Sequence, residues 1–121
     1  MVFLSEHFKR SEFCCPHCGA NNIKDELIDK LEAVRQIYGK PMYINSGYRC
    51  PAHNAAVGGV AESAHVDGEA ADIGCTFATD RLKLVDIAIS KGFRRLGVGA
   101  TFIHLDISET LPQDVLWVYK S

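Results

Sequence analysis

Between Lys24 and Tyr38 the apolar residues Leu27, Ile28, Leu31, Val34 and Tyr38 recur at steps of three and four, which predicts one amphipathic helix. Asn22 is placed to cap it, Asp25 and Glu26 lie in its first turn, and Gly39 with Pro41 ends it. A second helix is predicted from Asp80 to Lys91, capped by Thr79 and stopped by Gly92, with Leu82, Val85, Ala88 and Ile89 along one side. Elsewhere the pattern is that of extended chain: Pro41 to Asn45, Ala70 to Ile73, Leu96 to Val98, Thr101 to Ile107 and Val115 to Tyr119. Gly99-Ala100 and the polar run from Ser108 to Asp114 separate the last three. Residues 1 to 22 are irregular, with Phe3, Phe8 and Phe13 spaced by five, and read as a segment wrapped on the core. Strands beside two helices, without strict alternation, predict an α+β fold with a largely antiparallel sheet.

From Ser46 to Gly68 there is no period at all, and Gly, Ala, Ser, Asn and His dominate. About 20 residues without regular structure inside a compact domain is uncommon and usually functional. The chain has 121 residues, of which 47% are hydrophobic, which fits a single domain with one core, residues 1 to 121. With 13 Lys and Arg against 15 Asp and Glu, no basic surface for a nucleic acid or an anionic membrane is expected. The opening Met1-Val2-Phe3-Leu4-Ser5-Glu6-His7 has neither a basic start nor a long apolar run, so no signal peptide and no membrane span are expected.

Five cysteines exclude a fully paired framework within one chain. Cys14, Cys15 and Cys18 cluster in Cys-Cys-Pro-His-Cys-Gly, whereas Cys50 and Cys75 stand apart. The spacing from Cys15 to Cys18 suits half of a structural zinc site or a redox pair. No second CxxC is present; Cys50 could complete a partial site or pair with one of the cluster, and packed thiols are the alternative.

Three positions combine a metal-ligand residue type with a rigid setting: His65 in the long loop, Asp72 in the strand that leaves it, and His104 in Phe102-Ile103-His104-Leu105-Asp106-Ile107. Alternation puts Phe102, His104 and Asp106 on one face of that strand and Ile103, Leu105 and Ile107 on the other, core-facing side. Two imidazoles and one carboxylate with a fourth position open are the ligand pattern of a catalytic zinc. By composition alone the signal is weak, since a lone strand histidine is more often hydrogen-bonded than metal-bound.

The wording of the chain adds to this. Ser46-Gly47-Tyr48-Arg49, Ser63-Ala64-His65-Val66-Asp67-Gly68-Glu69-Ala70-Ala71-Asp72 and His104-Leu105-Asp106, in that order, closely resemble the zinc D-Ala-D-Ala carboxypeptidase family in its short, single-domain form of bacterial and phage genomes. His7-Phe8 and Glu12-Phe13-Cys14 look like the same family's N-terminal segment. The resemblance implies a hedgehog/DD-peptidase type of fold in which His65, Asp72 and His104 hold Zn²⁺.

It also implies roles for other residues. Arg49 matches an arginine associated with substrate and transition-state binding, for which a planar guanidinium fork suits a carboxylate or an oxyanion; its alternative is a salt bridge that ties the loop down. Ser63 either bonds a substrate backbone group or caps a turn. Asp67 and Glu69 are either partners of a zinc histidine or solvated. Many members place a carboxylate three residues before the last zinc histidine. Here that position is Thr101, so Asp106 is the expected base, with Glu62 as an alternative source and an anchoring role as the alternative for Asp106. His53 is expected to shape the loop rather than bind metal, and His7 and His17 to be structural or exposed.

The function implied is hydrolysis of peptidoglycan peptides, by a carboxypeptidase or an endopeptidase, with a non-catalytic zinc module or a structural phage or prophage component as alternatives. A monomer is expected; a stay in the cytoplasm until release would suit free cysteines, with action where it is made, release by another route or a lost leader as the alternatives.

Overall fold

The computed structural model describes residues 5–60 and 63–119. After a 3₁₀ turn at Arg10–Phe13 come α1 (Asp25–Tyr38), β1 (Tyr43–Ser46), α2 (Pro51–Ala56), β2 (Ala70–Gly74), α3 (Ala78–Ser90), β3 (Arg95–Val98), β4 (Phe102–Asp106) and β5 (Val115–Val118). The strands form one sheet in the order β1-β2-β4-β3-β5. Helices α1 and α3 pack against one face, where Leu27, Leu31, Leu84, Ile73, Ile103 and Leu105 are all fully or nearly fully buried. The α+β expectation holds, and every expected strand is present within one or two residues of its expected bounds.

The sheet is mixed, which corrects the largely antiparallel expectation in one place: β3 and β5 run parallel. The reason lies in connection length. β4 is already flanked by β2 and β3, and its end lies opposite the start of β3 at Arg95↔Asp106. The short link through Ser108 to Asp114 therefore delivers β5 to the same end, where Val115 pairs with Arg95 and the strand must follow the direction of β3. The long loop carries a helix of its own, α2, so there are three α-helices among the described residues rather than two. Phe3 and Glu62 lie outside the described residues.

Two caps and one helix face also differ from expectation. The N-cap of α1 is Lys24, whose amide bonds the Gly68 carbonyl at 2.9 Å and whose Nζ meets Glu69 at 2.8 Å. That contact with the loop, rather than an Asn22 side chain, sets the start of the helix. Gly68 has φ +71, and a Cβ there would lie 2.0 Å from the Asn22 carbonyl oxygen, so only glycine allows the approach. Helix α3 starts one residue before Thr79, with Phe77 as its N-cap. It buries Leu84, Ile87 and Ala88, leaving Leu82 73% and Ile89 42% exposed. Two overlapping apolar stripes run along this helix, and its seat against the sheet selects the one that sequence spacing did not.

The N-terminal segment is tied down by Glu32 on α1, which accepts from the His7 amide at 2.7 Å and faces His7 Nδ1 at 2.6 Å. Burial alone would raise the Glu32 pKa, but the hydrogen bonds from His7, Ser5 and Gln36 hold it down at about 2. A carboxyl whose folded pKa is depressed contributes stability above its unfolded pKa and loses it as pH falls towards the folded value. Glu32→Gln is therefore expected to be less stable than the parent chain at neutral pH, by about 2 kcal/mol. The difference should shrink between about pH 4.5 and about pH 2. Thermal melts of both proteins across that window check it, and a gap that does not change with pH would refute the linkage.

Candidate metal centre

The face of the sheet opposite the helices carries the polar residues. Antiparallel register sets Asp72 on β2 directly across from His104 on β4. Side chains so paired point to the same side, and Asp72 Oδ1 lies 2.9 Å from His104 Nδ1. The third residue arrives from the loop. A tight turn over Ser63 to Gly68, closed by Val66 N to Ser63 O at 3.0 Å and Gly68 N to His65 O at 3.2 Å, presents His65 with its Nε2 3.3 Å from the same Asp72 oxygen. Ser63 Oγ accepts from the His65 amide at 3.2 Å, so Ser63 caps this turn while also lining the cleft.

Both imidazoles are fixed from behind. His65 Nδ1 meets the Gly47 carbonyl at 2.7 Å, and His104 Nε2 meets Asp106 Oδ2 at 2.7 Å. A carbonyl or carboxylate partner calls for N–H on that side, which leaves the lone pairs of His65 Nε2 and His104 Nδ1 aimed inward. Two lone pairs directed at one carboxylate oxygen need a cation or protons among them. The three ligand atoms lie within 4.8 Å of one another. Tetrahedral bonds of about 2 Å place ligand atoms roughly 3.3 Å apart, which matches the 3.3 and 2.9 Å spacings. The residues therefore fit a metal of zinc type.

Without an ion, protons take its place: burial would raise the Asp72 pKa, yet His104 and His65, when protonated on the inward nitrogens, donate to it and hold it well below the usual carboxylate range. Burial would lower that of His104, but Asp106 and Asp72 outweigh it and raise it. His65 and His104 are nearly inaccessible, and their rings meet edge to face with centroids 5.0 Å apart.

Asp106 has little left to offer a water. Its Oδ1 accepts from Arg95 Nε at 2.8 Å and from the Ser108 amide at 3.1 Å, its Oδ2 is taken by His104, and it is 1% exposed. These contacts are those of the anchoring alternative for Asp106. Glu69 bonds Lys24 and Asp67 is exposed, so neither backs a histidine.

Arg49 stands at the cleft with its Nε buried and without a hydrogen-bond partner, and no carboxylate lies within 4 Å of it among the described residues. Among the described residues the loop-tying salt bridge is not formed. Its position is set by the backbone, through its amide to the His65 carbonyl at 3.2 Å. Burial lowers its pKa, and Asp72 and Tyr119 act in the opposite sense.

Three cleft residues were not singled out from sequence: Arg95, Trp117 and Tyr119. Trp117 packs 5.2 Å from His104 and under Arg95 at 5.0 Å. It reaches across β3 because residue 97 is glycine; a Cβ there would lie 2.6 Å from Trp117 Nε1. The alternation of Val115, Trp117 and Tyr119 along β5 was the available signal. The cleft so walled encloses about 790 Å³.

A family model described as Peptidase M15 matches residues 6–106, a span that includes all three ligand candidates, Arg49 and Asp106. The chain belongs to the peptidase M15 family. A curated relative, the zinc D-Ala-D-Ala carboxypeptidase of Streptomyces albus G, is 46% identical over 46 residues. That stretch is 37% of this chain and 18% of the relative, so this M15 chain matches only a small part of the relative's length. Among the described residues, no helix is long and apolar enough to cross a membrane.

Proposed function

We propose that this M15 chain is a zinc-dependent D-Ala-D-Ala carboxypeptidase acting on bacterial cell-wall peptides, with His65, Asp72 and His104 as its metal ligands. The observation that carries the reading is the convergence of two tied-back imidazoles on one Asp72 oxygen, beside an arginine with unspent donors. When bound, the ion supplies Lewis-acid polarisation of the scissile carbonyl and activation of a water. The chain's own residues do the rest. Arg49 takes the free carboxylate of the substrate in its guanidinium fork and neutralises charge that develops at the reacting carbonyl. Trp117 and Tyr119 form an apolar wall that excludes water from one side of the cleft. Ser63, at the cleft edge, keeps its hydroxyl proton free for a substrate carbonyl while its oxygen caps the His65 turn. The preference for a terminal carboxylate over an internal bond rests on Arg49, and the name of the Streptomyces relative agrees with it.

Digestion of purified muropeptides by the zinc-loaded chain, followed by mass spectrometry, tests this directly. Release of one terminal alanine from pentapeptide stems is expected. Splitting within the stem or cross-link would move the activity to an endopeptidase, and no cleavage at any zinc loading would leave a binding module.

Asp106 is read as a positioning residue that holds the His104 ring. Asp106→Asn is then expected to weaken zinc affinity by roughly 10- to 100-fold, with turnover recovering at saturating zinc. Turnover that stays lost in a fully metal-loaded Asp106→Asn variant would instead make Asp106 the proton acceptor.

A further inference from the structure

A second convergence of ligand atoms lies away from the His–Asp–His centre and is used by nothing described above. Cys15 and Cys18 come from the turn after the 3₁₀ helix, Cys50 stands at the N-cap of α2, and their sulfurs lie within 4.8 Å of one another as free thiols. The turn Cys15-Pro16-His17-Cys18-Gly19 is closed by the Cys15 amide on the Ala20 carbonyl at 2.7 Å, and by the Gly19 amide, at φ 75, on the Cys15 carbonyl at 2.8 Å. These two bonds close the loop and bring its two sulfurs together.

Backbone amides point at the sulfurs. The Cys50 amide reaches Cys15 Sγ at 3.4 Å, and the His53 amide reaches Cys50 Sγ at 3.4 Å. N–H groups aimed at sulfur favour the thiolate, as donors around a metal ligand do. Three thiolates this close repel one another unless a cation lies among them. An imidazole is at hand: His17 Nδ1 is 3.5 Å from Cys50 Sγ, and the His17 and His53 rings stack with centroids 6.2 Å apart. The two ligand runs, Cys15-x₂-Cys18 and Cys50-x₂-His53, have the short spacing of structural zinc loops. From sequence Cys50 is one possible completion of the first run among others; that it meets Cys15 depends on a contact between segments 35 residues apart.

We propose that Cys15, Cys18 and Cys50, closed by an imidazole of the His17–His53 pair, hold a second, structural zinc ion. Three sulfurs and one nitrogen fill a tetrahedron and leave no open position, so this ion takes no part in hydrolysis. Binding costs only the thiol protons, which are released to solvent, and needs no oxidant. Its effect is mechanical: it staples the N-terminal segment to the residue that follows Arg49. Exposed Cys18 and half-buried Cys50 give the ion a path from solvent.

Cobalt substitution separates the two sites, since only one contains sulfur. The wild-type chain reloaded with Co²⁺ is expected to show a sulfur-to-cobalt charge-transfer band in the near ultraviolet. His104→Ala should keep the band, and Cys50→Ser should lose it. Cys18→Ser, at an exposed position, should lose it as well. Zinc content should be about two per chain in the wild type and about one in each variant. A wild-type chain with no such band, or with the same zinc content as Cys18→Ser, would overturn the proposal. So would a disulfide among these cysteines in protein isolated without reductant. None of these readouts depends on peptidase activity, so the second site stands or falls apart from the first.

Discussion

Replacement of His104 by alanine is expected to release the zinc held with His65 and Asp72 and to reduce kcat/KM on a D-Ala-D-Ala peptide by on the order of a thousandfold or more. The size follows from the several kcal/mol that a metal contributes to stabilising charge in the transition state, at about 1.4 kcal/mol per tenfold in rate. The variant should fold, because His104 lies on the cleft face of β4 while Ile103 and Leu105, on the other face, carry the core. Asp106 keeps Arg95 and the Ser108 amide when the imidazole is gone, so no buried charge is left unpaired. Metal analysis of the purified variant beside its circular dichroism spectrum checks both halves. Asp72→Asn serves as the companion, removing the charge that both imidazoles face without opening a cavity. Full metal retention in either variant would remove that residue from the centre.

The second large effect is expected at Arg49. Its guanidinium has no carboxylate partner among the described residues, so truncation costs the fold little and the substrate much. Arg49→Ala should keep zinc and lose about 100- to 1000-fold in kcat/KM, the range typical of removing a donor aimed at developing negative charge. Arg49→Lys restores the charge without the planar fork and should recover only part of the loss. If the carboxylate is what Arg49 holds, amidation of the peptide's C-terminus should weaken the wild type and leave Arg49→Ala nearly unaffected. Equal sensitivity of both enzymes to amidation would place Arg49 on another group.

Which parts of this were legible in the sequence follows from the range of each interaction. The face of β4 was readable because strand alternation is local and the apolar Ile103 and Leu105 leave no ambiguity about which side is core. The candidate ligand set was proposed from motifs that resemble a known family, and the structure brings its three ligand atoms together. The register that puts Asp72 opposite His104 was not, since it is fixed by pairing between segments 32 residues apart. For the same reason the partner of Asp106 was missed: Arg95 meets it only through the β3–β4 ladder, and from spacing alone Asp106 looked free to act as a base. α3 shows the limit of periodicity within one element. Its Leu82 and Leu84 belong to competing stripes, and only the neighbouring α1 and sheet decide which is buried. The parallel β5 was invisible because strand direction depends on which edges are already occupied.

The walling of the cleft by β5 has a spectroscopic side. Trp117 is the single tryptophan of the chain, and it packs 5.2 Å from the ring of His104. Its indole also lies beneath the Arg95 guanidinium, whose other partner is Asp106. The tryptophan emission of the unmodified protein therefore arises from one place, beside the candidate centre, and is expected to change when a metal ion or a peptide arrives there, without a label.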